Sequence, residues 1–141
     1  MHTSVFLNET LRELHVTPGG KYIDGTFGEG GHAQAIVAAG GIVLGIEADI
    51  LQHQKHTGSS IRVIHGNFKD IEHISKESDF FPVQGVLLDL GLSMEQLNKS
   101  RRGFSFRKPE EPLDMRIGES DITAAEILLC CCYIGFSYPH I

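Results

Sequence analysis

The apolar residues of this chain fall into four short runs of strand length, separated by polar, helix-prone stretches. The runs are Lys21 to Asp24 (KYID), Ile42 to Glu47 (IVLGIE), Ile61 to Gly66 (IRVIHG) and Val83 to Gly91 (VQGVLLDLG). They are rich in β-branched residues, and in the later ones apolarity is continuous rather than alternating, which predicts strands buried on both faces. A helix is expected before the first strand, N-capped by Asn8, carrying Leu11 and Leu14 on one face and ended by Pro18, Gly19 and Gly20. Further helices are expected over His32 to Ala39, stopped by Gly40 and Gly41, over Ile50 to Thr57 and over Lys69 to Glu77. Strands alternating with helices predict an α/β fold: a parallel sheet with helices on both sides.

After the fourth strand the pattern changes. Asn98 to Glu119 is polar and strand-free, with a basic cluster at Arg101, Arg102, Arg107 and Lys108, and reads as a long loop or domain junction. Asp121 to Leu129 begins as an N-capped amphipathic helix and loses its polar face at Leu129 and Cys130. The stretch CCCYIGFSYPHI has no charged residue and does not make a surface element.

Composition narrows the class. The 141 residues fit one domain, and 41% hydrophobic with 21% charged residues is ordinary for a soluble globular protein. A net charge of −6 gives no global basic field, so any contact with nucleic acid must rest on a local patch. No run of about 18 apolar residues appears, nor a secretory signal. The three cysteines are consecutive, Cys130 to Cys132, a spacing that suits neither a disulfide framework nor a zinc site and points to a reducing, cytoplasmic setting. The eight histidines form no metal signature; His53 and His56 read as surface residues on an exposed helix. Neither a G-x-S-x-G elbow nor a G-x-x-x-x-G-K-[ST] loop is present.

Four places can carry chemistry. The first is the loop DGTFGEGGH (Asp24 to His32), whose glycines let the backbone turn sharply and approach a ligand beside a helix N-terminus. Gly28, Gly30 and Ala33 also satisfy the loose dinucleotide fingerprint. The second is Glu47, 19 residues after Gly28, placed to accept hydrogen bonds from ribose hydroxyls, with Asp49 as its rival or as a cap for the next helix. The third is Phe68 in HGNF, which offers a flat face to an adenine ring or belongs to the core. The fourth is Asp89 in LLDLG, a carboxylate at the carboxyl edge of the sheet, where open α/β sheets place their ligands, or a turn-forming residue.

Taken together, HTSVFLNE, YIDGTFGEGGH, GIEAD, HGNF, GVLLDLGLSMEQL, RGFSFR and PLDMR resemble, in order and spacing, the bacterial-type small-subunit (16S) ribosomal RNA cytosine-N4-methyltransferases, the RsmH or MraW family. The resemblance covers about residues 2 to 128. It implies a class I methyltransferase fold, Rossmann-like, with an inserted helical substrate domain, S-adenosyl-L-methionine as cofactor, and small-subunit ribosomal RNA or the small ribosomal subunit as partner. It further implies that Gly30, Gly31 and His32 hold the cofactor's polar end and that Glu47 takes the ribose position, where many members have aspartate. Phe68, Asp89 and Gln96 match family cofactor contacts, and Asp89 is also the candidate to orient the target amine or take part in its proton transfer. RGFSFR and PLDMR match segments near the active site.

On this basis residues 1–98 are expected to form the first part of the methyltransferase domain, and 99–128 the active-site loops and the start of the substrate domain. Residues 129–141 are expected to be an atypical tail. Family members run to roughly twice this length, so a fold of about four strands is expected, with an uncovered apolar sheet edge prone to self-association. Two other readings stay open: an NAD-dependent oxidoreductase, from Gly28, Gly30, Ala33 and Glu47, and a non-catalytic module that binds cofactor or RNA.

Overall fold

The computed structural model describes residues 6–118 and 122–133 and divides into two units, Met1–Leu90 and Gly91–Ile141. The first unit runs α1 (Leu7–Glu13), β1 (Lys21–Asp24), α2 (Gly31–Ala38), β2 (Ile42–Glu47), α3 (Ile50–Lys55), β3 (Arg62–His65), a 3-10 turn (Phe68–Asp70), α4 (Ile71–Glu77) and β4 (Gly85–Leu87). All four strands are parallel, in the order β3-β2-β1-β4. The α/β, Rossmann-like expectation therefore holds.

Period-two alternation sends successive strand residues to opposite faces. Tyr22, Val43 and Val63 join Phe27, Ala33, Ile36, Leu11 and Leu14 on the face covered by α1 and α2. Ile23, Leu44, Ile46 and Ile64 pack with Ile71, Ile74, Phe80 and Val83 on the face covered by α4. Tyr22 is buried because its hydroxyl is satisfied, accepting the Thr17 N–H at 2.9 Å and donating to the His15 carbonyl at 3.3 Å.

Several expectations need correction. The N-cap of α1 is Phe6, with φ of 53° and no capping side chain, so Asn8 lies inside the helix. The helix closes at Glu13, before Pro18, because His15 to Gly20 must wrap around the Tyr22 hydroxyl. β4 ends at Leu87, two residues before Asp89, and it is not buried on both faces: Val86 and Leu88 are each 44% exposed. Among the described residues β4 pairs only with β1, so it is an edge strand that lacks the flanking cover β1 and β2 enjoy. His53 and His56 are not free surface residues. Both are half-buried, His53 with Nε2 3.2 Å from the Val63 carbonyl and its ring 5.6 Å from that of His65, and His56 against Phe27.

The second unit holds α5 (Met94–Lys99) and α6 (Ala124–Tyr133). The helix α5 lies outside the sequence expectation. It starts on a capping box: Ser93 Oγ accepts the Gln96 N–H at 3.1 Å, and Gln96 Oε1 accepts the Ser93 N–H at 2.9 Å. The helix α6 starts on a second such box, built from Thr123 and Glu126, and runs through the cysteines to Tyr133. The expected start of that helix, Asp121, lies outside the described residues, as does the chain from residue 134 onward. Between the helices no strand forms among the described residues. Instead RGF and PLDMR are knit together: the Met115 N–H donates to the Arg102 carbonyl at 2.8 Å, and Arg102 Nη1 donates to the Arg116 carbonyl at 2.7 Å. Gly103 has φ of +76° and faces the Pro112 carbonyl so closely that a Cβ there would stand 2.2 Å from its oxygen.

The tightest packing constraint in the first unit is at Gly45, in the middle of β2, where a Cβ would stand 2.3 Å from Cδ2 of the buried Phe27 ring. Gly45→Ala is expected to destabilise the chain by about 1–3 kcal/mol through overpacking. A lowered urea midpoint with unchanged m-value would show it; an unchanged midpoint would mean that Phe27 moves aside freely.

Candidate active site

Parallel strands put all their carboxyl ends on one edge, and the strand order reverses between β1 and β4. Ligands of open α/β sheets bind outside the carboxyl ends at such a reversal. Asp24 ends β1, Glu47 ends β2, and the chain leaving β4 reaches Asp89.

The glycine loop springs from β1. Gly25 must be glycine because a Cβ there would lie 2.6 Å from Leu88 Cδ2 and 3.2 Å from Phe68 Cβ. Its N–H donates to the Leu87 carbonyl, and the Thr26 hydroxyl accepts the Asp89 N–H at 2.7 Å, which ties the loop to the segment after β4. The loop turns through left-handed conformations at Gly28 (φ +53°) and Gly30 (φ +76°). Gly30 is the N-cap of α2, where no side chain caps the helix. Beneath the loop Phe27 is plugged into the core, and its ring lies so close to Gly30 that a Cβ there would stand 2.8 Å away.

Each expected site residue of the first unit lies around this loop. His32 is in the first turn of α2, buried, with Nδ1 3.9 Å from Asp89 Oδ2. Asp89 itself is half exposed. Glu47 is buried, and both its oxygens accept backbone amides: Oε2 that of Gly28 and Oε1 that of Asp49, each at 2.8 Å. Asp49 caps α3, accepting the Leu51 N–H at 3.0 Å. Asn67 holds the 3-10 turn through the Lys69 N–H and so sets Phe68, 37% exposed, at the edge beside Gly25. Gln96 belongs to the second unit, where it is buried and closes the α5 capping box. The S-x-x-Q spacing was a legible signal for that cap.

Asp24 was passed over in the sequence and is the most perturbed group of the site. It is 2% exposed. Burial pushes its carboxyl up from 3.8 to about 6, aided by the negative charges of Asp89 and Glu47 and opposed by the Thr26 N–H and by His32. None of the described lysines or arginines is paired with Asp24, Glu47 or Asp89. Among the described residues three carboxylates therefore share one edge, with the His32 imidazole beside them, an arrangement that favours a cationic group over a phosphate. The signal was present in the sequence, since Asp24 ends a buried strand as Asp89 was expected to do. As the first residue of DGTFGEGGH it looks like no more than the start of the loop.

The family model described as the MraW methylase family matches residues 1–132. The chain belongs to the MraW methylase family. Among curated relatives, a ribosomal RNA small subunit methyltransferase H of Dehalococcoides mccartyi is 42% identical over 90% of this chain and 39% of its own length. Proteins of the same name from Trichlorobacter lovleyi and Deinococcus deserti are each 38% identical. They align over 95% and 91% of this chain, and over 45% and 43% of their own lengths. The chain thus spans less than half the length of these relatives. Family membership sets aside the oxidoreductase reading of Gly28, Gly30, Ala33 and Glu47.

The raised Asp24 carboxyl has a cost that can be measured. At low pH both folded and unfolded states are protonated and the cost is absent. As pH rises from about 4 the unfolded state ionises first, so stability falls until the folded carboxyl also ionises near pH 6, for a total of about 3 kcal/mol. Asp24→Asn keeps an acceptor for Thr26 but never ionises. We expect it to be more stable than wild type at pH 7 by up to about 3 kcal/mol, with the difference vanishing towards pH 4. Denaturant titrations of both proteins across this range check it, and a pH-independent difference would contradict it.

Proposed function

We propose that the chain carries the cofactor-binding part of an enzyme that transfers a methyl group from S-adenosyl-L-methionine to the N4 amine of a cytidine in small-subunit ribosomal RNA. Membership of the MraW methylase family supports the reaction class. The observation that carries the cofactor assignment is the anionic carboxyl edge around an uncapped glycine loop, Asp24, Glu47 and Asp89 with His32. S-Adenosyl-L-methionine has two cationic centres, a sulfonium and an ammonium, against one carboxylate and a neutral adenosine, so it carries a net positive charge. A dinucleotide would instead bring a pyrophosphate dianion to these carboxylates.

The residues present fit this ligand. Its polar end would lie at Gly30 and Gly31, at the uncapped start of α2, beside Asp24 and His32. Glu47 can accept ribose hydroxyls, because each of its oxygens has a second lone pair beyond the amide it already binds. Phe68 offers a ring face at the edge for adenine. When bound, the cofactor supplies an activated methyl group. The cytosine amine is a weak nucleophile because its lone pair conjugates with the ring, so the protein's task is alignment and removal of a proton. We assign the orienting of the amine and the acceptance of that proton to Asp89, a reading supported by its half-exposed carboxylate at the sheet edge and by the Thr26 hydroxyl that holds its N–H. A cytidine must be unstacked to reach such a pocket. Of the basic cluster, Arg102 and Lys108 are engaged within the second unit, Lys108 by the Asn98 carbonyl and Glu111. Arg101 and Arg107 remain exposed for RNA phosphates. No helix among the described residues is long and apolar enough to cross a membrane, and a cytoplasmic setting is the one in which ribosomal RNA is met.

Calorimetric titration is expected to show binding of S-adenosyl-L-methionine and none of NAD; the reverse would overturn the cofactor assignment. Methyl transfer from labelled S-adenosyl-L-methionine to small ribosomal subunits, run beside a full-length relative, tests the reaction, and label in any product other than N4-methylcytidine would refute it. In the full-length relative, replacing the aspartate equivalent to Asp89 by asparagine should reduce turnover much more than cofactor affinity. Equal loss in both would reduce that residue to a binding role.

A further inference from the structure

The clearest unassigned feature of the site is His56, at the C-cap of α3. Its Nε2 lies 2.8 Å from the carbonyl oxygen of Gly28. A carbonyl only accepts, so Nε2 carries the proton. The ring is half-buried and meets Phe27 edge-on, with centroids 4.8 Å apart and planes at 82°. The other polar group of Gly28, its N–H, donates to Glu47 Oε2 at 2.8 Å. Both sides of one left-handed glycine are therefore held by side chains, Glu47 from the end of β2 and His56 from the C-cap of α3.

A loop carrying glycines at 25, 28, 30 and 31 loses much conformational freedom when it is ordered, and a ligand that must order it binds more weakly. Glu47 cannot fix the loop alone, since it holds only the Phe27–Gly28 peptide, and the next peptide, Gly28–Glu29, can still turn about the glycine unless its carbonyl is held as well. The His56 bond supplies the second point, and Phe27 beneath supplies the third. We infer that His56 is a positioning residue for the cofactor, clamping Gly28 so that Gly30 and Gly31 are already in place at the start of α2. The inference rests on the reading that this loop holds S-adenosyl-L-methionine.

Three variants separate the clamp from mere packing. His56→Phe keeps a ring against Phe27 and removes the donor. His56→Gln removes the ring and keeps an N–H donor at nearly the position of Nε2. His56→Ala removes both. In calorimetric titrations of this chain with S-adenosyl-L-methionine, H56F and H56A are expected to bind about 5–10-fold more weakly than wild type, and H56Q within about twofold of it. Wild-type affinity in H56F, or H56Q as weak as H56A, overturns the clamp. If the wild-type chain itself takes up no S-adenosyl-L-methionine at millimolar concentration, the cofactor reading has failed. The clamp is then judged without ligand, by amide hydrogen exchange at Gly28 and Gly30. Faster exchange in H56F and H56A than in wild type and H56Q supports it, and equal exchange in all four refutes it.

Discussion

The site depends on one packing relation, the seating of the Phe27 ring in the space that Gly45 leaves in the middle of β2. That ring is the only large apolar side chain within the glycine loop, and burying it in the core turns a flexible connection into a fixed one. Everything above it is polar and comparatively weak: Glu47 and His56 on the two sides of Gly28, Thr26 on the Asp89 amide, and the Gly25 amide on Leu87. Bonds of this kind are individually worth little in water-accessible loops. They hold a geometry here because the hydrophobic anchor beneath has already brought their partners together.

The electrostatics of the same edge work against the fold. A carboxyl buried like Asp24, near two other acids, is an expense that a structural residue would not bring, since asparagine offers the same acceptor to Thr26. Such costs cluster where a ligand repays them. The opposite situation holds in the second unit, where Arg116 grips Asp114 through both carboxylate oxygens and holds its carboxyl down to about 2. There the charges are matched within the protein, together with the backbone links between RGF and PLDMR. The basic cluster of Arg101, Arg102, Arg107 and Lys108 thus divides into residues that build this unit and residues left facing outward.

Much of the architecture was legible in the sequence because it depends on local pattern. Apolar runs bounded by glycines gave the four strands, their parallel arrangement and the α/β class. LLDLG and DGTFGEGGH were legible as loops at one sheet edge because a carboxylate or glycine cluster that ends an apolar run has only one place to go. The motif set from HTSVFLNE to PLDMR pointed to the methylase family, and the match over residues 1–132 bears it out. Helix ends were less secure. Asn8 had the right chemistry for a cap, yet Phe6 takes the position, because the preference of one side chain is small beside the burial of Leu11 and Leu14 that sets where the helix lies.

What the sequence could not supply were the pairings between distant residues. Local pattern placed Glu47 at a strand end, but only the parallel register brings its oxygen to Gly28. The pattern made His56 a surface residue on a polar helix, because periodicity carries no information about which loop crosses that helix. It made Asp24 the first letter of a glycine motif, because desolvation is a property of the assembled core and not of the residue. Strand, loop and family were therefore written in the sequence alone. The clamp on the glycine loop and the charge state of its buried acid were decided by tertiary structure, since both arise from groups far apart in the chain meeting where water is excluded.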